Sequence, residues 1–241
     1  NIEENKMMYI RTVGNYCLLN IKTGNIKKFK TGFDVLKTIA ASNRSISEYL
    51  FYLQYMLSLM RLVRNNAFSE AVELINKNMN GIQSLNAIPS EDWYLSWMYV
   101  SFDSVSAYMG IGDHDNALKT INDFLNTANP KLKQDSYCIA RVINLLIHFE
   151  LDNWTLLEYM LESTNRYLKN KKRLYAFEKA ILDFIKKATK TTDRKEEIKI
   201  LNELKASLSD LKNDPFEKNV FEYFNFIIWL EINIEKRLRR S

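Results

Sequence analysis

Three observations predict that this chain of 241 residues folds into α-helices alone. Apolar residues recur along almost the whole chain at the spacing of one helix face. The six glycines all lie at or before Gly112, and long helices tolerate such a composition better than a many-turned sheet does. The three prolines each stand where a helix should begin, because the missing N–H would have no partner there anyway. We therefore expect about eleven helices and no strand.

The first five helices are predicted from apolar runs and the polar breaks between them. A first helix is expected at about 5–21, although YCLLNI could also form a strand, and a second at about 29–41. Ser45 and Glu48 have the Ser-x-x-Glu spacing of a capping box, which would open a long third helix that ends at NNAF. SEAVELINKNM forms the next helix, and Pro89 precedes the fifth.

The remaining helices are placed in the same way. Pro130 precedes the helix KLKQDSYCIARVINLLIHFEL, and two more are expected at about 172–190 and 193–212, with Asp193 and Glu196 as a cap. Asp214 and Pro215 are interpreted as the cap and first position of one last helix that continues into KRLRR.

Four stretches superimpose as a repeat. They are KKFKTGFDVLKTI (27–39), NAFSEAVELINKN (66–78), GDHDNALKTINDF (112–124) and DNWTLLEYMLEST (152–164). Each has a ring at its third position, followed three residues later by one of Gly32, Ala71, Ala117 and Leu157; the rings belong to Phe29, Phe68, His114 and Trp154. The ring would plug the elbow between two antiparallel helices, and the following residue would allow their close approach. A hairpin cannot bury this face alone, so we expect the hairpins to stack.

This pattern resembles the tetratricopeptide repeat over about residues 6–170, most specifically through Tyr108, Gly112, Asp113, Ala117 and Pro130. The resemblance implies a right-handed α-α superhelix of about four hairpins over residues 1–170, closed by capping helices at 171–241 that continue the same stack. The stretch LIHFELDNWTLLEYMLESTNRYL is similar to the C-terminal part of larger, poorly characterised bacterial repeat proteins. We therefore expect this chain to be a piece of a longer protein.

The resemblance also implies a function, since the first helix of each tetratricopeptide hairpin lines a concave groove. The groove positions carried across by alignment are Met56, Met60, Arg64, Tyr99, Phe102, Met109, Val142 and Leu146. A groove rich in Met and aromatic residues suits an amphipathic helix or an extended peptide, although the chain's own last helix could equally fill it. The expected function is a non-enzymatic scaffold that binds a protein or peptide of unknown identity.

His114, between Asp113 and Asp115, is the residue that most suggests chemistry. A metal or acid–base site would need further ligands from elsewhere, whereas the repeat predicts that Gly112 ends one helix, Asp113 caps the next and His114 plugs the bend. His148 is expected in the core or in a hydrogen bond. No phosphate loop or nucleophile motif is present, so we predict no catalytic residue, cofactor or metal. A helical enzyme would require His, Glu and Asp side chains buried in one pocket.

Charge and cysteine content bound the partners and the compartment. The net charge is +5, and the segment from Lys169 to Lys199 carries eleven Lys and Arg residues against five Asp and Glu. With the tail KRLRR it could bind nucleic acid, but a solvated outer face is favoured because no aromatic residues interleave with the lysines as a stacking platform requires. Cys17 and Cys138 are far apart and fit reduced thiols in the cytoplasm. Apolar runs such as FNFIIWL are too short to span a bilayer, so no membrane insertion is expected.

Two apolar stripes near the C-terminus leave a homo-oligomer open. One comprises Ile198, Leu201, Leu204, Leu208 and Leu211, and the other Phe216, Val220, Phe221, Phe224, Ile227, Ile228 and Trp229. Internal packing of the cap is the favoured interpretation. The alternative is a dimer seam or a docking face for another domain.

Overall fold

The computed structural model describes residues 2–83, 90–127 and 134–239, and within these ranges it contains eleven α-helices, one short 3-10 segment and no strand. The helices are α1 (Ile2–Lys22), α2 (Ile26–Thr38), α3 (Arg44–Arg64), α4 (Phe68–Gln83), α5 (Ser90–Ile111), α6 (His114–Thr127), α7 (Gln134–Glu150), α8 (Trp154–Asn170), α9 (Ala176–Ala188), α10 (Arg194–Leu211) and α11 (Phe226–Arg239), with the 3-10 segment at Lys218–Glu222. None of these helices combines the length and hydropathy needed to cross a membrane. The all-α prediction is confirmed for the described residues.

Several helix starts are capped by one side chain. The capping box predicted at Ser45 is wrong: Asn43 accepts the N–H of Ile46 through Oδ1 at 2.8 Å, so Ser45 lies inside the first turn of α3. Asp193 does cap α10, where its Oδ1 accepts the N–H of Lys195 at 3.2 Å. Pro89 and Pro130 lie outside the described residues.

The long final helix predicted after Pro215 is interrupted. Asp214 caps only a turn, because its Oδ1 accepts the N–H groups of Phe216 and Glu217, and α11 begins afresh at Phe226. The break lets Phe224 and Phe226 both point into the core, where the Phe226 ring lies 4.7 Å from that of Phe177. A continuous helix would place these two side chains on nearly opposite faces.

The bend between the helices of each predicted hairpin has one recurring geometry. The residues with positive φ are Gly24 (70°), Asn66 (58°), Gly112 (80°) and Asp152 (54°). At each bend the N–H of the following residue donates to the carbonyl five residues back; the bonds join Asn25 to Asn20, Ala67 to Leu62, Asp113 to Tyr108 and Asn153 to His148, at 2.8 to 3.1 Å. This is the Schellman closure of a helix C-terminus. Lys172 (55°) repeats it after α8, which delays α9 beyond its predicted start.

These bends shift the register of the first hairpin. Aligned on Gly24, Ile26 takes the position of the plug rings, and Phe29 takes the position of Ala71, Ala117 and Leu157. The predicted alignment of Phe29 with the plug rings is therefore three residues out of register. Phe29 is buried and Ile26 is exposed, so the ring of this hairpin enters the interface one turn later.

The chain forms two compact units, Asn1–Ala107 and Tyr108–Ser241. In the first unit, α1 packs against α2 and α3, and α3 packs against α4. In the second, α7 is the central helix: it contacts α6, α8 and α9, and it buries a continuous run of side chains from Val142 to Phe149. The predicted division between residues 170 and 171 falls inside the second unit, where α8 packs against α9.

Candidate functional site

Most of the side chains predicted to line a concave groove are buried within the folded chain. The six buried ones are Met56, Met60, Phe102, Met109, Val142 and Leu146. Tyr99 is half-buried and Arg64 is exposed. Of the eight, Arg64 and Tyr99 are therefore the two that solvent reaches directly, and they lie in the first unit.

Asp103, one helical turn beyond Tyr99 on α5, is an unusual carboxylate that the sequence did not single out. Its Oδ2 is buried and has no hydrogen-bond partner in the described part of the chain. Burial raises the pKa of Asp103 to about 7, and the nearby Arg64 guanidinium opposes this shift without reversing it. Perturbed carboxyl groups occur at functional sites, but an uncompensated buried group can also be a purely structural cost.

The bend at His114 forms as predicted for an elbow. Gly112 follows the end of α5, and Asp113 caps α6 because its Oδ1 accepts the N–H of Asn116 at 3.2 Å. Ala117 is buried one turn later. Unlike a simple plug, however, the His114 ring lines a cavity of about 390 Å³ between the end of α5, the end of α7 and one face of α11.

Glu150 is the second polar group of this cavity. Its side chain is 2 % exposed, and its Oε1 accepts the indole N–H of Trp229 at 2.8 Å. Its Oε2 lies 3.7 Å from Lys236 Nζ and 3.8 Å from His114 Nε2, so both charge partners are near but outside hydrogen-bond distance. Residue spacing alone does not pair Glu150 with His114, because their contact depends on how α6 and α7 pack.

The polar side chains of this cavity do not form a metal site within the described part of the chain. Both ring nitrogens of His114 are buried without a hydrogen-bond partner, and burial lowers the pKa of His114 although the Glu150 carboxylate acts against this. The ring is thereby favoured in its neutral form. Asp113 is occupied as a helix cap, and among the described residues no three His, Cys, Asp or Glu side chains come together as metal ligands would. The combination of His, Glu and Asp that an enzyme would need is only partly present.

His148 is a buried, hydrogen-bonded core residue, as predicted. Its Nδ1 lies 3.1 Å from Nδ2 of Asn153, across the bend that joins α7 to α8. Burial lowers its pKa, so it too is favoured as the neutral ring.

A groove of about 600 Å³ lies between α8 and α9 in the second unit. The α8 wall presents side chains at i, i+3, i+4, i+7 and i+11, namely Glu158, Leu161, Glu162, Asn165 and Lys169. The opposite wall has the same spacing: α9 presents Lys179, Leu182, Asp183 and Lys186, and Lys190 follows just beyond its end. Two antiparallel helices thus each contribute one continuous stripe.

The groove combines an apolar floor with charged rims. Leu161, Leu174 and Leu182 supply apolar surface between the two stripes. Four lysines and three carboxylates line the rims, and none of these seven side chains forms a salt bridge within the described residues. The charges are therefore directed to solvent along a surface that also offers apolar contacts, the combination found in sites that hold a polar chain.

The basic segment around these lysines is partly neutralised by its surroundings. Lys187 pairs with Glu203 at 2.9 Å, Lys199 pairs with Glu196 at 3.2 Å and Arg173 lies 3.4 Å from Asp135. Because these ion pairs reduce the positive charge of the segment, a solvated face is favoured over a phosphate-binding stripe.

The two C-terminal stripes are mostly packed within the second unit. The buried members are Leu201, Leu204, Leu208, Val220, Phe224 and Trp229, and Phe216 is the clear exception with an exposed ring. The strongest exposed apolar face in the described residues lies elsewhere, on α1. Comparison with known families, curated proteins and solved structures finds no match to this chain.

Proposed function

We propose that the chain is a non-enzymatic, cytoplasmic module that binds an extended peptide segment of a partner protein, built as a tetratricopeptide-like solenoid of degenerate hairpins. The observation that carries this proposal is the groove between α8 and α9, with its apolar floor and unpaired charged rims. The recurring Schellman bends support the repeat architecture. The free, buried thiols of Cys17 and Cys138 agree with a reducing compartment.

The groove dimensions favour a short extended segment. From Glu158 to Lys169 the α8 wall rises by about 16 Å at 1.5 Å per residue. An extended peptide covers that distance with about five residues. Alternate side chains of such a segment would face the leucine floor, while the others reach the rims.

Charges of both signs line the walls of the groove. Glu158 and Glu162 stand near the start of α8, whereas Lys169 stands near its end, next to the α8–α9 turn. Lys186, in the last turn of α9, and Lys190, just beyond that helix, stand at the end farthest from that turn. A segment with both acidic and basic residues therefore finds a complementary charge on each rim.

The test begins with a library of random linear peptides displayed on phage and panned against the purified chain. Selected peptides are resynthesised with a fluorophore, and their affinities are measured by fluorescence anisotropy. For the double variant Lys186→Glu/Lys190→Glu we expect affinities weaker by about two- to thirty-fold, since exposed ion pairs contribute about 0.2–1 kcal/mol each.

A matched control carries the same change of charge on exposed lysines outside the groove, Lys30→Glu/Lys119→Glu. It should bind the selected peptides as the unmodified chain does. Peptides that bind both double variants equally, or a library that yields no binder, would count against the groove as the site.

A further inference from the structure

The first helix has two apolar faces: the inner one is buried, and the outer one is covered only where the Tyr16 ring contacts α2 at Gly32. Towards the interior, Ile10 and Cys17 are buried, and a Cβ at Gly14 would lie 2.9 Å from Leu53, which shows how closely α1 approaches α3. On the outside, Met8 is 62 % exposed, Tyr9 52 %, Tyr16 41 % and Leu19 60 %. A helix of a folded monomer normally directs such large apolar side chains inwards.

The exposed side chains form one stripe. At 100° per residue, Met8, Tyr9, Thr12, Tyr16 and Leu19 fall within one arc of about 100° on the outer side of α1. The four large side chains present on the order of 400 Å² of largely apolar surface, as much as the largest patch on many monomers. The stripe does not overlap the α8–α9 groove, which belongs to the second unit.

The side chains of this stripe are placed nearly symmetrically about the middle of α1. Two copies of the helix that run in opposite directions can therefore bring matching side chains together. Met8 and Leu19 are equidistant from the midpoint between residues 13 and 14, and Tyr9 and Tyr16 are equidistant from a point one residue earlier. Glu4 stands near one end of the helix and Lys22 near the other, on the same edge of the stripe. The Lys22 ammonium lies 5.5 Å above the Tyr99 ring, which holds a positive charge at that end.

We propose that the outer face of α1 binds a second copy of this chain, with the two α1 helices antiparallel about a two-fold axis near residues 13 and 14. In that pairing Met8 packs against the partner's Leu19, and Glu4 approaches the partner's Lys22, twice per dimer. A parallel pairing would instead bring Glu4 against the partner's Glu4 and Lys22 against the partner's Lys22. In such an isologous interface both copies use the same surface, and two-fold dimers of this kind are the commonest homo-oligomers.

The expected association is weak. Two such faces bury on the order of 800–1,000 Å² in total, below the standard interface of about 1,600 Å². Sedimentation velocity of the full chain should therefore show a sedimentation coefficient that rises between about 5 and about 500 μM, as the monomer converts to dimer. A chain that sediments as a monomer over this whole range would overturn the proposal and leave the face to a different partner.

Two sets of variants test the surface and the orientation. Leu19→Glu should weaken the dimer by at least about ten-fold because it buries a charge in the seam, while Leu156→Glu, the same change on an exposed leucine of α8, should leave it unchanged. Association that survives Leu19→Glu would place the contact elsewhere and refute the proposal.

The orientation is tested by exchanging charges. Glu4→Lys and Lys22→Glu should each weaken the dimer by several-fold, since each opposes like charges across the seam. The double variant Glu4→Lys/Lys22→Glu should restore the affinity of the unmodified chain, because both pairs are re-formed with reversed sign. If the double variant stays as weak as the single ones, the antiparallel arrangement is wrong.

Discussion

Replacing Asp103 with Asn should stabilise the first unit, and the gain should depend on pH. The pKa of Asp103 is raised from 3.8 to about 7 by burial, so its ionised form is less favourable in the folded chain than in the unfolded one. A raised carboxyl pKa contributes stability that is fully present below about pH 4 and is lost as the pH rises through about 7. Asn keeps the size of the side chain and removes the charge.

The size of the pH effect follows from the shift. Each pKa unit corresponds to about 1.4 kcal/mol, so the full shift corresponds to about 4 kcal/mol above pH 7, which is an upper bound for this half-buried residue. From about pH 5 to the pKa of about 7, the stability cost of the ionised Asp103 grows over roughly two pH units. Between about pH 5 and pH 8 the gain in stability from Asp103→Asn should therefore grow by up to about 3 kcal/mol.

Native-state hydrogen exchange as a function of urea measures this gain in the right part of the chain, because the amides of α3 lie in the first unit and report the openings that expose that helix. The control is Asp34→Asn, which removes an exposed carboxylate from α2 of the same unit. Its effect should be small and nearly equal at the two pH values. An Asp103→Asn gain of the same size at both, or a loss of stability at both, would refute the argument from burial.

Three further predictions concern the second unit. Gly112→Ala should lower the free energy of unfolding by about 1 kcal/mol in urea denaturation, because alanine is strained at the left-handed φ of this position although its Cβ would meet no neighbour. Gly112→Asn should be nearly neutral, since Asn66 adopts the same φ region at the equivalent bend. Equal losses would contradict this. His114→Phe should leave the thermal midpoint within a few degrees and should reduce the loss of stability below about pH 6.5, since a His with a lowered pKa stabilises the fold only while it is neutral. If His114→Phe loses as much stability below about pH 6.5 as the unmodified chain does, His114 does not contribute to this loss. Phe177→Ala should cost about 3–5 kcal/mol by calorimetry, because this ring is fully buried among the Phe221 and Phe226 rings; a loss under about 1 kcal/mol would mean that the cluster refills the space.

The sequence predicted local features well because their causes are local. Helix positions follow from apolar spacing, and the bend at Gly112 with its Asp113 cap follows from residues within six positions of each other. The register of the first hairpin was mispredicted because residue types were matched to the repeat without locating the bend. Phe29 and Gly32 match the repeat pattern in residue type, but the bend itself is fixed by Gly24.

Features set by distant residues could not be predicted in this way. The break before Phe226 depends on the Phe177 ring, which lies almost fifty positions earlier in the chain. The cavity at His114 depends on Glu150 from α7 and Lys236 from α11. The sequence contains part of the information for the α8–α9 groove, since both stripes have helical spacing. The two stripes face one another because of the turn closed at Lys172, which their spacing does not predict.

The Schellman bends also bear on how the chain reaches its fold. Each is closed by a hydrogen bond between residues five apart. At three of the hairpin bends the flanking helices pack against one another, α1 with α2, α3 with α4 and α7 with α8. Little loop entropy is lost before the first native contacts form, which is the condition for rapid folding. Each hairpin can therefore assemble once its second helix has left the ribosome, before the next hairpin has emerged.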